Sequence, residues 1–164
     1  KGLDKSSYKF HIQDKASGPD GTLFVAYSDY SKKDGNYISA IDSEGKVKWE
    51  VSAGEHGLLS IKAGSDGTLY AKTETSLVAF HPDGKTKFMH DFDESVSDHV
   101  LDANGNSFFR KSSGNELYVV DNEGGKIKLP LKLRGFNPTD IKPQADGTFL
   151  MKEGKKISVS QDTE

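Results

Sequence analysis

The chain has 164 residues, a formal net charge of −3 and no cysteine. That length fits one domain, and the missing cysteine excludes a disulfide scaffold, a cysteine zinc site and thiol catalysis. The weakly acidic balance argues against nonspecific nucleic-acid binding, and no apolar run approaches the roughly 18 residues of a membrane helix.

Taken from the N-terminus, short runs rich in β-branched and aromatic residues alternate with turn signals. They predict strands near 8–12, 22–27, 37–42, 46–51, 58–62, 68–73, 76–80, 85–90, 97–101, 107–111, 116–121, 126–130, 139–142, 148–152 and 156–160. Glycine arrives too often for helices of ordinary length, so none is expected. The first residue is Lys1 rather than Met, and processing or truncation of a longer chain is expected.

Two signatures repeat along these strands. The first is Asp20-Gly21-Thr22-Leu23-Phe24, then Asp66-Gly67-Thr68-Leu69-Tyr70, Asn104-Gly105-Asn106-Ser107-Phe108 and Asp146-Gly147-Thr148-Phe149-Leu150. Its glycines are spaced by 46, 38 and 42 residues, the period of a four-stranded propeller blade. Asp-Gly and Asn-Gly between apolar runs are hairpin turns, because Gly takes the positive φ and Asp or Asn bonds its own backbone. The second signature runs Ala40-Ile41-Asp42-Ser43-Glu44-Gly45-Lys46-Val47-Lys48-Trp49. It recurs at Ala79 to Phe88 and at Val119 to Leu129.

Together they predict an all-β chain, a β-propeller of four-stranded antiparallel blades. One domain spans 1–164, with blades near 8–51, 58–90, 97–130 and 139–160. Fifteen strands are one short of four full blades. Either the strand at Ser7 to Ile12 completes the last blade and leaves the first with three strands, or the chain belongs to a larger ring, completed by further blades or by self-association. The second is the favoured expectation.

The second signature resembles the tryptophan-docking repeat of PQQ-type (quinoprotein-type) β-propellers, which runs Ala-x-Asp, a short turn, Gly-Lys, two residues, Trp. Ala40, Asp42, Gly45, Lys46 and Trp49 carry it best. Val119, Asp121, Gly125, Lys126 and Leu129 follow it with full spacing, and Ala79, Gly84, Lys85 and Phe88 keep most of it, with His81 in place of Asp. Propellers of the NHL and SMP-30 types share the first signature, and the Gly-Lys-x-x-aromatic ending favours the PQQ-like type. The resemblance implies that Trp49, Phe88 and Leu129 wedge between blades. It does not bring the quinone with it: the enzymes of the family pair calcium with the cofactor, use an Asp base and are eight-bladed, and many carry adjacent cysteines. The non-enzymatic branch includes the outer-membrane assembly lipoprotein of Gram-negative bacteria.

Candidate chemistry is sparse. His11, His56, His81, His90 and His99 lack converging metal spacing and read as loop or strand-surface residues. His90 with Asp91 and Asp93 is the densest polar group and reads as a solvated strand end. Asp102, Asn104 and Asn106 alternate as in a calcium loop, but the twelfth position is Ser113 rather than Glu, so an ordinary turn is expected. The Gly-Lys pairs at Gly45, Gly84 and Gly154 lack the rest of a phosphate loop, and no nucleophile elbow is present. Ser28 to Gly35 lengthens one hairpin, with Tyr27, Tyr30 and Tyr37 beside it as a candidate recognition surface. Lys126, Lys128, Lys132 and Arg134 read as an edge strand protected by charge, with anionic glycan or lipid headgroups as the sharper alternative.

No catalytic, cofactor-binding or metal residue is assigned, and no cofactor is expected. The function expected is that of a noncatalytic scaffold for binding or assembly, extracellular or at a bacterial cell surface, with a protein or extracellular glycan as partner and neither nucleic acid nor a membrane span. The alternatives are a fragment of a propeller enzyme, quinoprotein or sugar-acting, and the sensor domain of a signalling protein.

Overall fold

Alternating strands and glycine turns leave the backbone one economical course, an antiparallel meander. The computed structural model describes residues 9–32, 35–54, 57–58, 60–112, 117–127, 141–143, 148–151 and 156–158. Among them there are strands and turns and no helix. The first sheet runs β1 (Phe10–Ser17), β2 (Leu23–Asp29), β3 (Asn36–Ile41) and β4 (Val47–Gly54). The second runs β5 (Ser60–Ala63), β6 (Leu69–Lys72), β7 (Ser76–Phe80) and β8 (Thr86–Asp91). The third runs β9 (Val96–Leu101), β10 (Ser107–Lys111), β11 (Leu117–Val120) and β12 (Lys126–Ile127). The fourth contains β13 (Ile141–Pro143), β14 (Thr148–Met151) and β15 (Lys156–Ser158). Every neighbouring pair is antiparallel and consecutive in sequence. These sheets are the blades of a β-propeller.

The repeated turns share one geometry. In the turn joining β3 to β4, Gly45 N–H donates to Asp42 O at 3.0 Å and Asp42 N–H donates to Lys46 O at 2.9 Å. Gly45 has a φ of 84°, the left-handed residue of a type I turn closed by a bulge. Asp42 Oδ1 also accepts from the N–H of Glu44 at 2.9 Å and of Lys46 at 2.8 Å. The turn from Asp121 repeats this with Gly124 at φ 88° and with the N–H of Glu123 and of Gly125 on Asp121 Oδ1. The structural equivalent of Gly45 and Gly84 is therefore Gly124, one residue before the glycine that the motif alignment selects.

Strand alternation divides each blade into two faces. Phe24 and Ala26 of β2, with Ile38 and Ala40 of β3, turn toward the second blade and bury against Leu58, Ile61, Leu69, Ala71 and Phe80. Tyr70, Leu77 and Ala79 turn the other way and bury against Val96, Phe109, Tyr118 and Val120 of the third. The core is thus a series of layers between blades.

The first strand departs from expectation. It extends to Ser17, because a register shift between Ile12 and Asp14 interrupts the alternation. That bulge re-aims its residues: Gln13 Nε2 donates to Ser28 Oγ at 2.7 Å and Asn36 Oδ1 at 2.9 Å, and Asp14 Oδ2 accepts the N–H of Ile61 at 2.8 Å from the next blade. β1 pairs with β2 from Phe10 to Ser17, so this strand completes the first blade, and the alternative in which it serves the last blade is overturned.

Ser107 occupies the place that Leu69 holds one blade earlier. It is fully buried and its hydroxyl has no hydrogen-bond partner among the described residues. An orphaned buried hydroxyl is a net cost. Ser107→Ala is expected to stabilise the chain by about 1 kcal/mol, a rise of roughly 2–4 °C in Tm. Calorimetry on the two proteins checks it, and an unchanged or lower Tm would show that the hydroxyl is satisfied.

Candidate functional site

The inter-blade seams hold the residues that the second signature singles out. Trp49 on β4 lies opposite Ala40 and is partly buried. Its ring rests between Phe24 and Phe80, with centroids 5.8 and 6.1 Å away, and its Nε1–H donates to Pro82 O at 2.9 Å. The ring lies on Gly84 of the second blade's turn, where a Cβ would come within 2.7 Å of it. Phe88, opposite Ala79, repeats the contact one blade on: a Cβ at Gly124 would lie 2.8 Å from its ring. The glycine must therefore be left-handed and also bare. Leu129 lies outside the described residues; Ile127 stands opposite Val119, the counterpart of Ala40 and Ala79.

Polar groups follow the same seams. His90 is half-buried and bridges blades: Nδ1 donates to Gly124 O at 2.8 Å, since a carbonyl only accepts, and Nε2 lies 2.8 Å from Tyr118 Oη. Asp93 Oδ2 accepts Lys126 Nζ at 2.6 Å, and that ammonium sits 4.4 Å from the Tyr118 ring centre. The hydrogen bond from Lys126 holds the Asp93 carboxyl below its ordinary range. The bridge corrects the solvated reading for His90, while Asp91 and Asp93 are exposed as expected and Lys126 stands exposed on the edge strand β12, paired with Asp93. Lys128, Lys132 and Arg134 lie outside the described residues.

His99 is the larger departure. It stands on β9, buried, with Nδ1 3.2 Å from Ser60 Oγ of β5 and its ring 5.3 Å from that of Phe109. Burial, and then the charges of Lys62 and Lys72, pull its imidazole down to about 3. So weak a base does little to activate the Ser60 hydroxyl near neutral pH. The surface reading holds for His11 and His81, both exposed, while His56 lies outside the described residues.

The expected turn at Asp102 is present. Its Oδ1 accepts the N–H of Asn104 at 2.9 Å and of Asn106 at 2.7 Å, and its Oδ2 accepts Asn106 Nδ2 at 2.8 Å. Both carboxylate oxygens are engaged in holding the turn. Asp20 does likewise for Thr22, and Thr22 and Lys48 together hold its carboxyl down to about 2. Gly45 and Gly84 serve as turn glycines; Gly154 lies outside the described residues.

The lengthened β2–β3 connection gathers the three tyrosines at one end of the first blade. Tyr27 and Tyr37 are cross-strand partners with stacked rings 5.8 Å apart at 27°, and Phe10 lies 6.0 Å from Tyr27. Tyr27 Oη donates to Glu50 Oε2 at 2.6 Å, Ser39 Oγ donates to the same oxygen at 2.9 Å, and Lys32 Nζ reaches Glu50 Oε1 at 3.4 Å. The bond from Tyr27 lowers the Glu50 carboxyl, and burial followed by that same bond raises the Tyr27 phenol. Lys32 also lies 4.3 Å over the Tyr37 ring. Asp29, buried, fastens the loop base by accepting the Ser31 N–H at 3.0 Å and the Ser31 hydroxyl at 2.5 Å. Tyr30 projects from this platform, 72% exposed.

No family model matches the chain, and no curated protein matches it. Solved structures do. The Cps50 (Swd1) β-propeller domain of Myceliophteria thermophila aligns with a TM-score of 0.64 at 13% identity over 95% of this chain and 53% of that one. Virginiamycin B lyase from Staphylococcus aureus gives 0.57 at 13% identity over 98% and 59%. BamB from Moraxella catarrhalis gives 0.56 at 14% identity over 88% and 48%. At such identities the likeness is one of fold. The chain spans about half the length of the solved propellers it matches.

Two expectations follow from the seams. Trp49→Ala is expected to cost about 3 kcal/mol, the lower end for a packed aromatic because the ring is only partly buried. Gly84→Ala is expected to be far milder in the Trp49→Ala background, keeping only the roughly 1–2 kcal/mol of left-handed strain. A denaturant double-mutant cycle reads both, and additive effects would deny the contact. The second expectation concerns His99. Below its ordinary 6.5 the unfolded chain gains a proton that the folded chain refuses until about 3. Stability is therefore complete above pH 6.5 and falls as pH drops, by about 1.4 kcal/mol per unit. Between pH 6.5 and 4.5 the slope should flatten in His99→Gln; an equal slope in both proteins would place the imidazole in water.

Proposed function

We propose that the chain is a noncatalytic propeller module of the PQQ-like kind that binds or assembles with a protein partner, at a bacterial cell surface or outside the cell. The observation that carries this reading is the tyrosine platform: an exposed Tyr30 and Lys32 held on stacked Tyr27 and Tyr37 and braced by Glu50. Rigid aromatic groups with a cation beside them are the side chains that protein interfaces favour. The PQQ-like assignment is supported by Trp49 on Gly84 and Phe88 on Gly124. The noncatalytic assignment is supported by the use of Asp20, Asp42, Asp102 and Asp121 as turn caps and by the weak basicity of His99. No helix among the described residues is long and apolar enough to cross a membrane.

A second reading, part of a propeller enzyme, has one observation in its favour, the contact of Ser60 with His99. The two readings part in solution. PQQ with calcium is expected to leave the Tm unchanged, because ligand binding to the folded state would raise it by mass action. A photocrosslinking residue at Tyr30, introduced in the native host, is expected to trap a different protein, while the same residue at exposed Lys85 traps none. A saturable rise in Tm with PQQ would favour the enzyme, and equal trapping at both positions would remove the platform as a binding surface.

A further inference from the structure

The outward face of the first blade is built like the faces that the other blades bury. By strand register, Leu23, Val25, Ser39 and Ile41 of blade 1 correspond to Leu69, Ala71, Val78 and Phe80 of blade 2, and to Ser107, Phe109, Tyr118 and Val120 of blade 3. In blades 2 and 3 this face meets the preceding blade, and Leu69, Ala71, Phe80, Phe109, Tyr118 and Val120 are all buried. In blade 1 Leu23 is 38% exposed and Val25 and Ile41 are half-buried, Ser39 is buried with its hydroxyl on Glu50, and on the flanking strands Val47 is 59% and Ile12 64% exposed.

The turn glycines give the sharper comparison. Gly84 carries the Trp49 ring and Gly124 the Phe88 ring, each supplied by the outer strand of the preceding blade. Gly45 has the same left-handed φ and the same turn hydrogen bonds, yet nothing among the described residues lies within 4 Å of the place its Cβ would take. A glycine is needed there for the turn, and the open space over it has the form of a seat for a ring.

We infer that this face of blade 1 docks a preceding propeller blade of the same polypeptide, one whose outer strand seats a Trp or Phe on Gly45. Four observations support that occupant. The face continues the established stacking. Its seat matches two filled ones. Both filled seats take their ring from the fourth residue after a turn glycine, Trp49 after Gly45 and Phe88 after Gly84. Finally, the single-chain propellers that this chain matches have room for as much again, since it spans 48% to 59% of them. By the same alternation Tyr27 and Tyr37 stand at the far end of this face, Tyr27 opposite Ile12, so a docked blade borders their rings and leaves Tyr30, on the loop beyond, to a separate partner.

The test places a blade there. A copy of residues 58–91, which carries Phe88, is joined ahead of the full chain. The lengthened protein is expected to melt higher by about 5 °C or more. The gain should vanish when the added copy carries Phe88→Ala, and again when the receiving blade carries Gly45→Val, each compared with its own unlengthened parent. No gain, or a gain indifferent to both changes, would overturn the proposal. The source is tested by the native reading frame, which should encode ahead of Lys1 a turn glycine followed four residues later by Trp or Phe. Its absence, or a dimer of the 164-residue chain in light scattering that Ile12→Glu dissolves, would assign the face to another occupant and overturn it as well.

Discussion

The structure depends on one recurring contact, an aromatic ring laid on a turn glycine of the following blade. The contact asks two things of one residue. The turn needs a positive φ, and the ring needs a surface with no Cβ. Glycine alone meets both at little cost. Trp49 on Gly84 and Phe88 on Gly124 join three blades by this means, and the burial of Phe24, Phe80 and Tyr70 is organised around those rings. Since a Trp or Phe offers about 150–250 Å² of apolar surface, each contact carries much of the stacking in a chain whose core is divided into thin layers.

Polar chemistry has been drawn into the same task. Asp14 caps Ile61 across the first seam, and Ser60 meets His99 across the second. His90 and Lys126 cross the second seam as well, toward Tyr118 and Asp93. Such bonds are stronger where water is excluded, and their partners are costly to leave unpaired. They fix the registry of one blade on the next, which the rings alone would leave freer to slide. Asp14, Asp93, His90 and His99 are thereby occupied. Among the described residues, the group that stands out toward a partner is aromatic: Tyr30 on the long hairpin.

The fold was legible because its determinants are local. Asp-Gly turns at a steady period and two-residue alternation predict hairpins with no knowledge of their neighbours, and the docking motif pointed to Trp49 and Phe88. What the sequence concealed depends on tertiary placement. The bulge at Gln13 breaks alternation, so the second half of β1 looked like a loop. In Gly124-Gly125 only the backbone reveals which glycine is left-handed. His99 resembles any strand histidine until β9 is laid beside β5 and buries it. Of the candidate site, the tyrosines were visible from the hairpin's length, whereas Glu50 and Lys32, which brace them, come together only through pairing of strands distant in sequence.

Trp49 is the only tryptophan in the chain, so its fluorescence reports the seam between the first and second blades alone. The most direct test of the central claim is urea unfolding followed by that signal in the wild type and in Phe88→Ala, which breaks the next seam. If ring-on-glycine docking couples the blades into one cooperative stack, the Trp49 midpoint moves to lower urea together with the midpoint from far-ultraviolet circular dichroism. A Trp49 midpoint that stays in place while the rest of the chain loosens would show that the blades stand independently and would contradict the account.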